Sequence, residues 1–488
     1  MDNKKDYYSI LGIPPTATKG EVRKAYLEAI KIVHPDMNKD VVGTRFFDIQ
    51  EAFNTLNNEA DRSEYDADYQ NTETGVDLFR TNLLLSKTTL PKLSEPQLLY
   101  ALVDLTPTTY SELDLFEPSL NLCLVIDVSS SMKGHKLEEI KHLCFKLSKT
   151  LNKTDTLSIV TFNDFADVVI KAQSPNDDVI LNKIQLMQAG GGTEIFSGLE
   201  AGYQEIQKYL HADKHNQIIL LTDGRTYGDE NKCLDLSRSA AAQNIFISCY
   251  GIGPEWNDKF LDDVATITGG YSKFVPFGAE YHENILEDIK IISSSKITNI
   301  KLQISGLEHC SIRSINRLNP NPVALPALSS VNIGQLPRTG AISLLFEILV
   351  GPNFKLENPL PIVDLKFITT GLYKHRVNKA SIINLIMPVS TEPNDGEPPS
   401  EIIHALEILQ MAKIQEKARA DVSIGNIDQA ISKLKKLIPM LEKNGQVELA
   451  KTVHFEILTI QKTRQFSSDG DKQIKYGTRA LNWRDLER

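Results

Sequence analysis

Hydrophobic and polar residues recur with different periods along the chain, and the changes of period divide it into regions. Residues 1–70 show helical spacing only, with apolar positions such as Val22 and Ile30 on one face. Between 121 and 295, short apolar runs of strand length alternate with amphipathic segments, which predicts a parallel α/β sheet. Residues 401–464 return to helical spacing and are expected to include a helical hairpin.

The segments on both sides of the α/β region, 96–120 and 296–390, contain strand-like runs without helices between them. We expect them to form a β-sandwich into which the α/β domain is inserted. Residues 71–95 are interpreted as a linker, residues 391–400 as a second linker rich in Pro and Gly, and residues 465–488 as a mobile polar tail. The predicted fold class is therefore multidomain: an all-α domain, a doubly wound α/β domain inserted in a β-sandwich, and a C-terminal helical hairpin.

Composition narrows the class of protein. The 488 residues are 41% hydrophobic and 24% charged, as in globular chains of several domains. A net charge of −10 argues against a general binder of nucleic acid or anionic membranes. The sequence shows no apolar run of about eighteen residues, no secretory signal and no C-x-x-C pair among five cysteines. We therefore expect a cytoplasmic protein that contacts neither nucleic acid nor membrane.

The N-terminal region predicts two antiparallel helices. Thr18 and Glu21 form a capping box that opens the first helix, and Pro35 ends it. Basic residues lie off the apolar stripe of this helix, among them Arg23 and Lys24. Such a strip is either a solvated face or a surface that steers an acidic protein partner.

Blocks along this region resemble a J-domain over its whole length. The blocks are Asp6–Ile13, Ala25-Tyr26, His34-Pro35-Asp36, Phe47–Leu56 and Arg62–Asp66. The resemblance implies docking onto a DnaK-type heat-shock ATPase and stimulation of its ATP hydrolysis. The docking residues it implies are His34, Pro35, Asp36, Arg23, Lys24 and Lys31. The chain departs from fuller members of the family after residue 70, because neither a Gly/Phe-rich stretch nor a cysteine-rich zinc module follows.

Oxygen-bearing residues follow two predicted strands of the α/β region. Asp127-Val128-Ser129-Ser130-Ser131 comes after an apolar run, Thr222-Asp223-Gly224 comes after another, and Gly190-Gly191-Gly192-Thr193 lies on a loop between them. Ligands collect at the carboxyl ends of strands in open α/β sheets. Hard oxygen donors with few charges suit Mg²⁺, with Mn²⁺ or Ca²⁺ as alternatives. Taken alone, D-x-S-x-S is equally explained as a Ser-rich turn.

This set of residues resembles the metal-ion-dependent adhesion site of von Willebrand factor A domains. The resemblance implies that Ser129 and Ser131 bind the metal directly, and that Thr193 does so directly or through water. It implies that Asp127 and Asp223 act mainly through bridging waters, and that an acidic side chain of a partner completes the shell.

The sequence predicts binding rather than catalysis. It contains no G-x-S-x-G elbow and no phosphate-loop lysine, so we expect no catalytic residues. The preferred hypothesis is a J-domain co-chaperone whose von Willebrand A domain selects a protein partner through Mg²⁺. The alternative is a regulatory scaffold of a bacterial AAA-ATPase or kinase–phosphatase stress or conflict system, in which the J-domain remodels the assembly.

Overall fold

The computed structural model describes most of the chain. The described residues are 7–11, 13, 17–33, 44–59, 61–63, 65–66, 79–108, 119–175, 178–211, 214–226, 228–276, 281–295, 297–338, 340–352, 354, 359–371, 377–390, 396–467 and 469–481.

The helices and strands follow one another in a clear order. The helices are α1 (Tyr7–Leu11), α2 (Lys19–Val33), α3 (Thr44–Asn57), α4 (His135–Thr150), α5 (Asp178–Gln185), α6 (Ile195–Lys208), α7 (Glu230–Ala242), α8 (Asp258–Thr268), α9 (Tyr281–Ser294), α10 (Ser400–Ser423), α11 (Ile427–Lys443), α12 (Val447–Thr463) and α13 (Gly470–Arg479). The strands are β1 (Phe79–Leu85), β2 (Leu90–Pro91), β3 (Gln97–Pro107), β4 (Ser119–Asp127), β5 (Thr156–Phe162), β6 (Ala166–Gln173), β7 (Lys214–Thr222), β8 (Ile245–Ile252), β9 (Ser272–Val275), β10 (Ile297–Ser305), β11 (Cys310–Asn319), β12 (Val323–Leu325), β13 (Ser330–Leu336), β14 (Ile342–Val350), β15 (Leu360–Gly371), β16 (Val377–Met387) and β17 (Val389–Ser390).

The N-terminal helices pack around a small apolar core. Val22 on α2 is fully buried against Ile49 and Leu56 of α3. The predicted capping box is present, because the backbone N–H of Thr18 donates to the Glu21 carboxylate at 2.7 Å and the Glu21 N–H donates to the Thr18 hydroxyl at 3.4 Å. These two bonds satisfy donors that the first turn of a helix leaves open.

The central domain is doubly wound. Its strands lie in the order β6-β5-β4-β7-β8-β9, and all neighbours are parallel except β5 and β6. Helices α4, α5 and α9 cover one face of the sheet, while α6, α7 and α8 cover the other. Successive residues of β4 alternate between the two layers: Leu124 packs in the first and Val125 in the second. A central strand covered on both faces explains the unbroken apolar run in the sequence.

Two antiparallel sheets flank the central domain. One has the order β1-β3-β14-β11-β12 and the other β13-β10-β15-β16. Side chains of both, such as Leu99 and Val103 of the first and Leu365 and Phe367 of the second, belong to one buried core. The strands come from both sides of the α/β domain in the sequence, with β3 before it and β10 after it.

The interpretation of residues 71–95 as a linker is wrong for its second half. Strand β1 pairs with β3 in antiparallel register from Phe79 opposite Pro107 to Leu85 opposite Ala101. Phe79 is buried in the core that the two flanking sheets share, and Leu83 and Leu85 pack against this core. The intervening polar residues face solvent, as expected for a strand at the edge of a sheet.

The C-terminal region is larger than the predicted hairpin. Helices α10, α11 and α12 pack in sequence, and α13 contacts both α10 and α12. The prediction of a mobile polar tail is therefore wrong for residues 469–481. Although α13 is polar, Ile474 is fully buried, and Lys472, Lys475 and Thr478 are almost fully buried.

Ion pairs attach α13 to helix α8 of the central domain. The Lys475 ammonium contacts the carboxylates of Asp258 and Asp262, and Arg479 donates to Asp262 at 2.8 Å. Arg419 of α10 donates to Asp258 at 2.8 Å. Burial opposes ionisation of Asp258, but Arg419 and Lys475 outweigh it and hold the pKa of this carboxyl below its usual range. The attachment thus relies on charge compensation in a water-poor contact.

A second contact orients α13. The Lys472 ammonium lies 4.1 Å from the ring centroid of Trp256 and also donates to backbone carbonyls of residues 254 and 256. Just before the start of α13, the buried Glu456 carboxylate accepts from the N–H of Ser467 at 2.7 Å and from its hydroxyl at 2.6 Å. These polar contacts take the place of an apolar face.

We expect Lys475→Ala to destabilise the attachment of α13 by about 1–3 kcal/mol, because Asp258 and Asp262 then keep one cation each, Arg419 and Arg479. Thermal unfolding and chymotrypsin cleavage between residues 464 and 481 measure the effect. Lys451→Ala is the matched control, because Lys451 forms an exposed pair with Glu448 on α12. Equal melting temperatures and cleavage rates for the two variants would contradict the role of the buried cluster.

Candidate metal site

Parallel pairing brings the two predicted carboxylates to one edge of the central sheet. Strands β4 and β7 are neighbours, with Ile126 opposite Leu221. Asp127 ends β4, and Asp223 follows the last residue of β7. Both side chains therefore stand at the carboxyl end of the sheet, where ligands of open α/β folds bind.

Asp127 is buried and held by two hydrogen bonds. Its Oδ2 accepts from the Thr222 hydroxyl at 2.6 Å, and its Oδ1 accepts from the Ser129 N–H at 2.8 Å. Burial raises the pKa of Asp127 to about 6, against the effect of these hydrogen bonds. The carboxylate is thus fixed in position and is costly to keep charged.

The two serines and Asp223 form a short hydrogen-bonded chain. The Ser129 and Ser131 hydroxyls are 3.0 Å apart, and the Ser131 hydroxyl donates to Asp223 Oδ1 at 2.7 Å. A single 3₁₀ turn, Ser130–Met132, places Ser131 back towards Ser129. The three oxygens thus lie within reach of one small ion.

The glycine loop carries Thr193 to the same place. The Gly190 N–H donates to Val128 O at 2.7 Å, and the Ser130 N–H donates to Gly191 O at 3.0 Å. A Cβ added to Gly224 would lie 3.0 Å from the Thr193 hydroxyl oxygen, so Thr193 stands directly beside the loop of Asp223. The structure therefore brings together all five residues that the sequence pattern selected.

Lys136 is a site residue that the sequence reasoning missed. From the first turn of α4, its ammonium contacts Asp223 Oδ2 and lies 3.4 Å from Ser131 O. A lysine five residues after Ser131 at a helix start is the signal that could have suggested it. The ammonium neutralises Asp223, so a metal ion at the serines has to compete with it for this carboxylate.

The donor set fits a small hard cation. In an octahedral Mg²⁺ shell with bonds of about 2.0–2.1 Å, neighbouring ligand oxygens are about 3 Å apart. The separation of the two serine hydroxyls, 3.0 Å, agrees with this value. Among the described residues there is no cluster of three His, Cys, Asp or Glu side chains suited to a metal, so this oxygen set draws on hydroxyls instead.

The structure covers the predicted chaperone-docking residues in part. Arg23 and Lys24 are exposed on α2. The backbone of Lys31 is helical, but its side chain and the triplet His34-Pro35-Asp36 lie outside the described residues.

The described helices are too short or too polar to cross a membrane.

Comparison with family models finds three domains in the chain. A DnaJ domain matches residues 6–66, and a von Willebrand factor type A domain matches residues 121–288. An Sll0103-like, C-terminal alpha-helical domain matches residues 400–483, a span that includes α13. The chain thus contains a DnaJ domain and a von Willebrand factor type A domain, as the sequence motifs predicted.

Individual relatives share different parts of the chain. "Uncharacterized protein sll0103" of Synechocystis sp. is 26% identical over 316 residues, which are 62% of this chain and 74% of that protein. "Chaperone protein DnaJ" of Dictyoglomus thermophilum is 43% identical over 67 residues, but these are 14% of this chain and 17% of the chaperone. A solved von Willebrand factor type A protein from Catenulispora acidiphila has a TM-score of 0.66 at 15% identity and covers 83% of this chain and 96% of its own. This last likeness concerns the fold.

Because an ionised buried carboxylate is costly, we expect Asp127→Asn to stabilise the protein in EDTA at pH 7.5, by up to about 3 kcal/mol. Because the pKa of Asp127 is raised, the free-energy cost of its ionisation is complete above pH 6 and vanishes towards about pH 4. The stability gained by Asp127→Asn should therefore shrink as the pH is lowered towards about 4. Urea unfolding at both pH values measures it.

Asp223→Asn is the contrasting variant, because the Asp223 carboxylate forms an ion pair with Lys136. We expect no gain from it. A gain of equal size in both variants would show that the burial of Asp127 is not the cause.

Proposed function

We propose that this chain is a co-chaperone and adaptor without catalytic activity of its own. Its DnaJ domain would recruit a DnaK-type ATPase and stimulate ATP hydrolysis, and its von Willebrand factor type A domain would bind a protein partner through Mg²⁺. The observation that carries the proposal is the combination in one chain of a DnaJ domain, residues 6–66, with an oxygen-lined site on a second domain. The free cysteines fit a reducing, cytoplasmic setting.

The residues at the sheet edge have distinct roles in this proposal. Ser129 and Ser131 supply neutral oxygen ligands, with Thr193 as a third, while Asp127 and Asp223 hold water molecules of the shell. When bound, Mg²⁺ supplies a positive charge with an open coordination position, which attracts a carboxylate. Because the hydroxyls carry no charge, the cation is incompletely neutralised by the chain. The electrostatic attraction of the cation for an acidic residue of the partner is therefore stronger than it would be at a carboxylate-rich site.

The DnaJ domain would act through the basic face of α2 and the residues that follow it in the sequence. Arg23 and Lys24 are exposed and suited to steer an acidic surface of the ATPase. The triplet His34-Pro35-Asp36 is assigned to docking from the sequence motif, with His34 as a contact residue rather than a base.

We expect Asp36→Asn to abolish the stimulation of ATP hydrolysis by a DnaK-type chaperone, because the variant removes the charged group of the docking triplet. Steady-state ATP hydrolysis with purified components measures it. Asp61→Asn is the matched control, since Asp61 is an exposed carboxylate that accepts from Asn58 at 2.7 Å. Stimulation by Asp36→Asn at the level of the unchanged chain would refute the DnaK half of the proposal.

Partner binding through the metal predicts a requirement for Mg²⁺. Affinity purification in excess Mg²⁺ should retain proteins that are released by EDTA and that are not retained by Asp127→Ala. Ser197→Ala is a control, because Ser197 lies on α6 and donates to the carbonyl of Glu194 instead of facing the serine loop.

The identity of the retained proteins separates two functions. A broad set of unfolded proteins supports a co-chaperone, whereas a single AAA-ATPase or kinase supports the regulatory scaffold. Retention of the same proteins in EDTA would exclude a metal-bridged contact.

A further inference from the structure

A groove of about 410 Å³ lies next to the candidate metal site. Its lining includes Val128, which stands between Asp127 and Ser129, and also Phe165 and Leu186. Leu186 is 75% exposed and Phe165 is 67% exposed, which places both among the most exposed large hydrophobic side chains of the described residues. Exposed apolar groups concentrated at one concave place mark a binding surface.

The backbone holds both side chains outward. The Asn163 N–H donates to Phe165 O at 3.0 Å, and the Phe165 N–H donates to the Asn163 side-chain oxygen at 3.3 Å, which closes a tight turn. After α5, the Leu186 N–H donates to Lys183 O at 3.2 Å while the neighbouring Met187 is buried. The exposure thus follows from fixed local structure.

The groove and the metal loops form one hydrogen-bonded unit. The Asn163 side-chain amide donates to Gly190 O at 2.8 Å, and the Gly192 N–H donates to Asp164 Oδ1 at 3.1 Å. The Val128 N–H donates to Phe162 O at 2.9 Å. A ligand at the serine hydroxyls and a ligand in the groove therefore touch the same rigid set of loops.

Charge favours a ligand that is acidic at the metal site and uncharged where it enters the groove. Lys183 lines the groove, and Lys136 lies at the serine loop, where a bound divalent cation would add further positive charge. Asp167 in the lining of the groove, and Asp164, which accepts from the Gly192 N–H nearby, repel a second carboxylate. The complementary segment is thus acidic at the metal and apolar in the groove.

We propose that the partner is recognised at two points: a carboxylate at the metal, and an aromatic or long aliphatic side chain a few residues away that packs between Phe165 and Leu186. The first point rests on the proposed function, whereas the second rests on the groove alone. The occupant is a short segment of another protein with this chemistry.

A random-peptide library displayed on phage and selected on the full chain in Mg²⁺ tests the proposal. We expect enrichment of sequences that combine Asp or Glu with Phe, Leu, Ile, Met or Trp at a constant spacing. In anisotropy titrations of an enriched synthetic peptide, Phe165→Ser and Leu186→Ser should each weaken binding about tenfold or more. Leu328 is exposed between β12 and β13, away from the groove residues, and Leu328→Ser is the matched control that should bind unchanged.

The outcomes distinguish failure of the groove from failure of the metal contact. Groove variants that bind as well as the unchanged chain, while EDTA abolishes binding, would overturn the groove and leave the metal contact intact. Binding that depends on Phe165 and Leu186 but survives EDTA would overturn two-point recognition and the metal half of the proposed function. If no peptide is enriched in Mg²⁺ relative to a selection in EDTA, two-point recognition is overturned as well. Dimers of the chain that Leu186→Ser dissociates in sedimentation would assign the groove to a second copy and refute an external partner.

Discussion

The parallel pairing of β4 with β7 is the constraint on which the candidate site depends. The register that sets Ile126 opposite Leu221 puts Asp127 and Asp223 at one edge and lets Thr222 donate to the buried Asp127. A shift of one residue would turn the side chains of a strand to the opposite face. The apolar layers on both faces of the sheet oppose such a shift, so the packing of the domain and the geometry of its polar edge are set together.

Much of this arrangement could be predicted because its signals are local. Residues 122–126 of β4 are an unbroken apolar run followed by Asp127, and these features indicate burial and a strand end without knowledge of any distant residue. The capping box at Thr18 and Glu21 is likewise contained in four residues. The sequence pattern predicted the five oxygen-bearing residues on three separate segments, and the order of strands in the sheet brings these segments to one edge.

The features that escaped prediction depend on distant partners. Helix α13 has little apolar periodicity because Lys472 and Lys475 occupy positions where apolar residues usually pack, and their acceptors lie on another domain. Strand β1 is paired on one side only, and apolar and polar residues alternate weakly along it. Such a weak pattern is easily interpreted as a linker. Lys136 at the candidate site belongs to the same class, because its contact with Asp223 spans 87 positions of the sequence.

The attachment of α13 has a consequence for synthesis of the protein. Lys475 lies 213 positions after Asp262, and translation at about 5–20 residues per second separates the two by about 10–40 s. During that interval, helix α8 can leave the ribosome but its two carboxylates lack their cations and stay in water. The α/β domain therefore completes its surface late, after the C-terminal helices have emerged. A nascent chain stalled before residue 470 would lack Lys472 and Tyr476, which pack against one side of Trp256, and would leave that side of the ring open to chaperones and proteases.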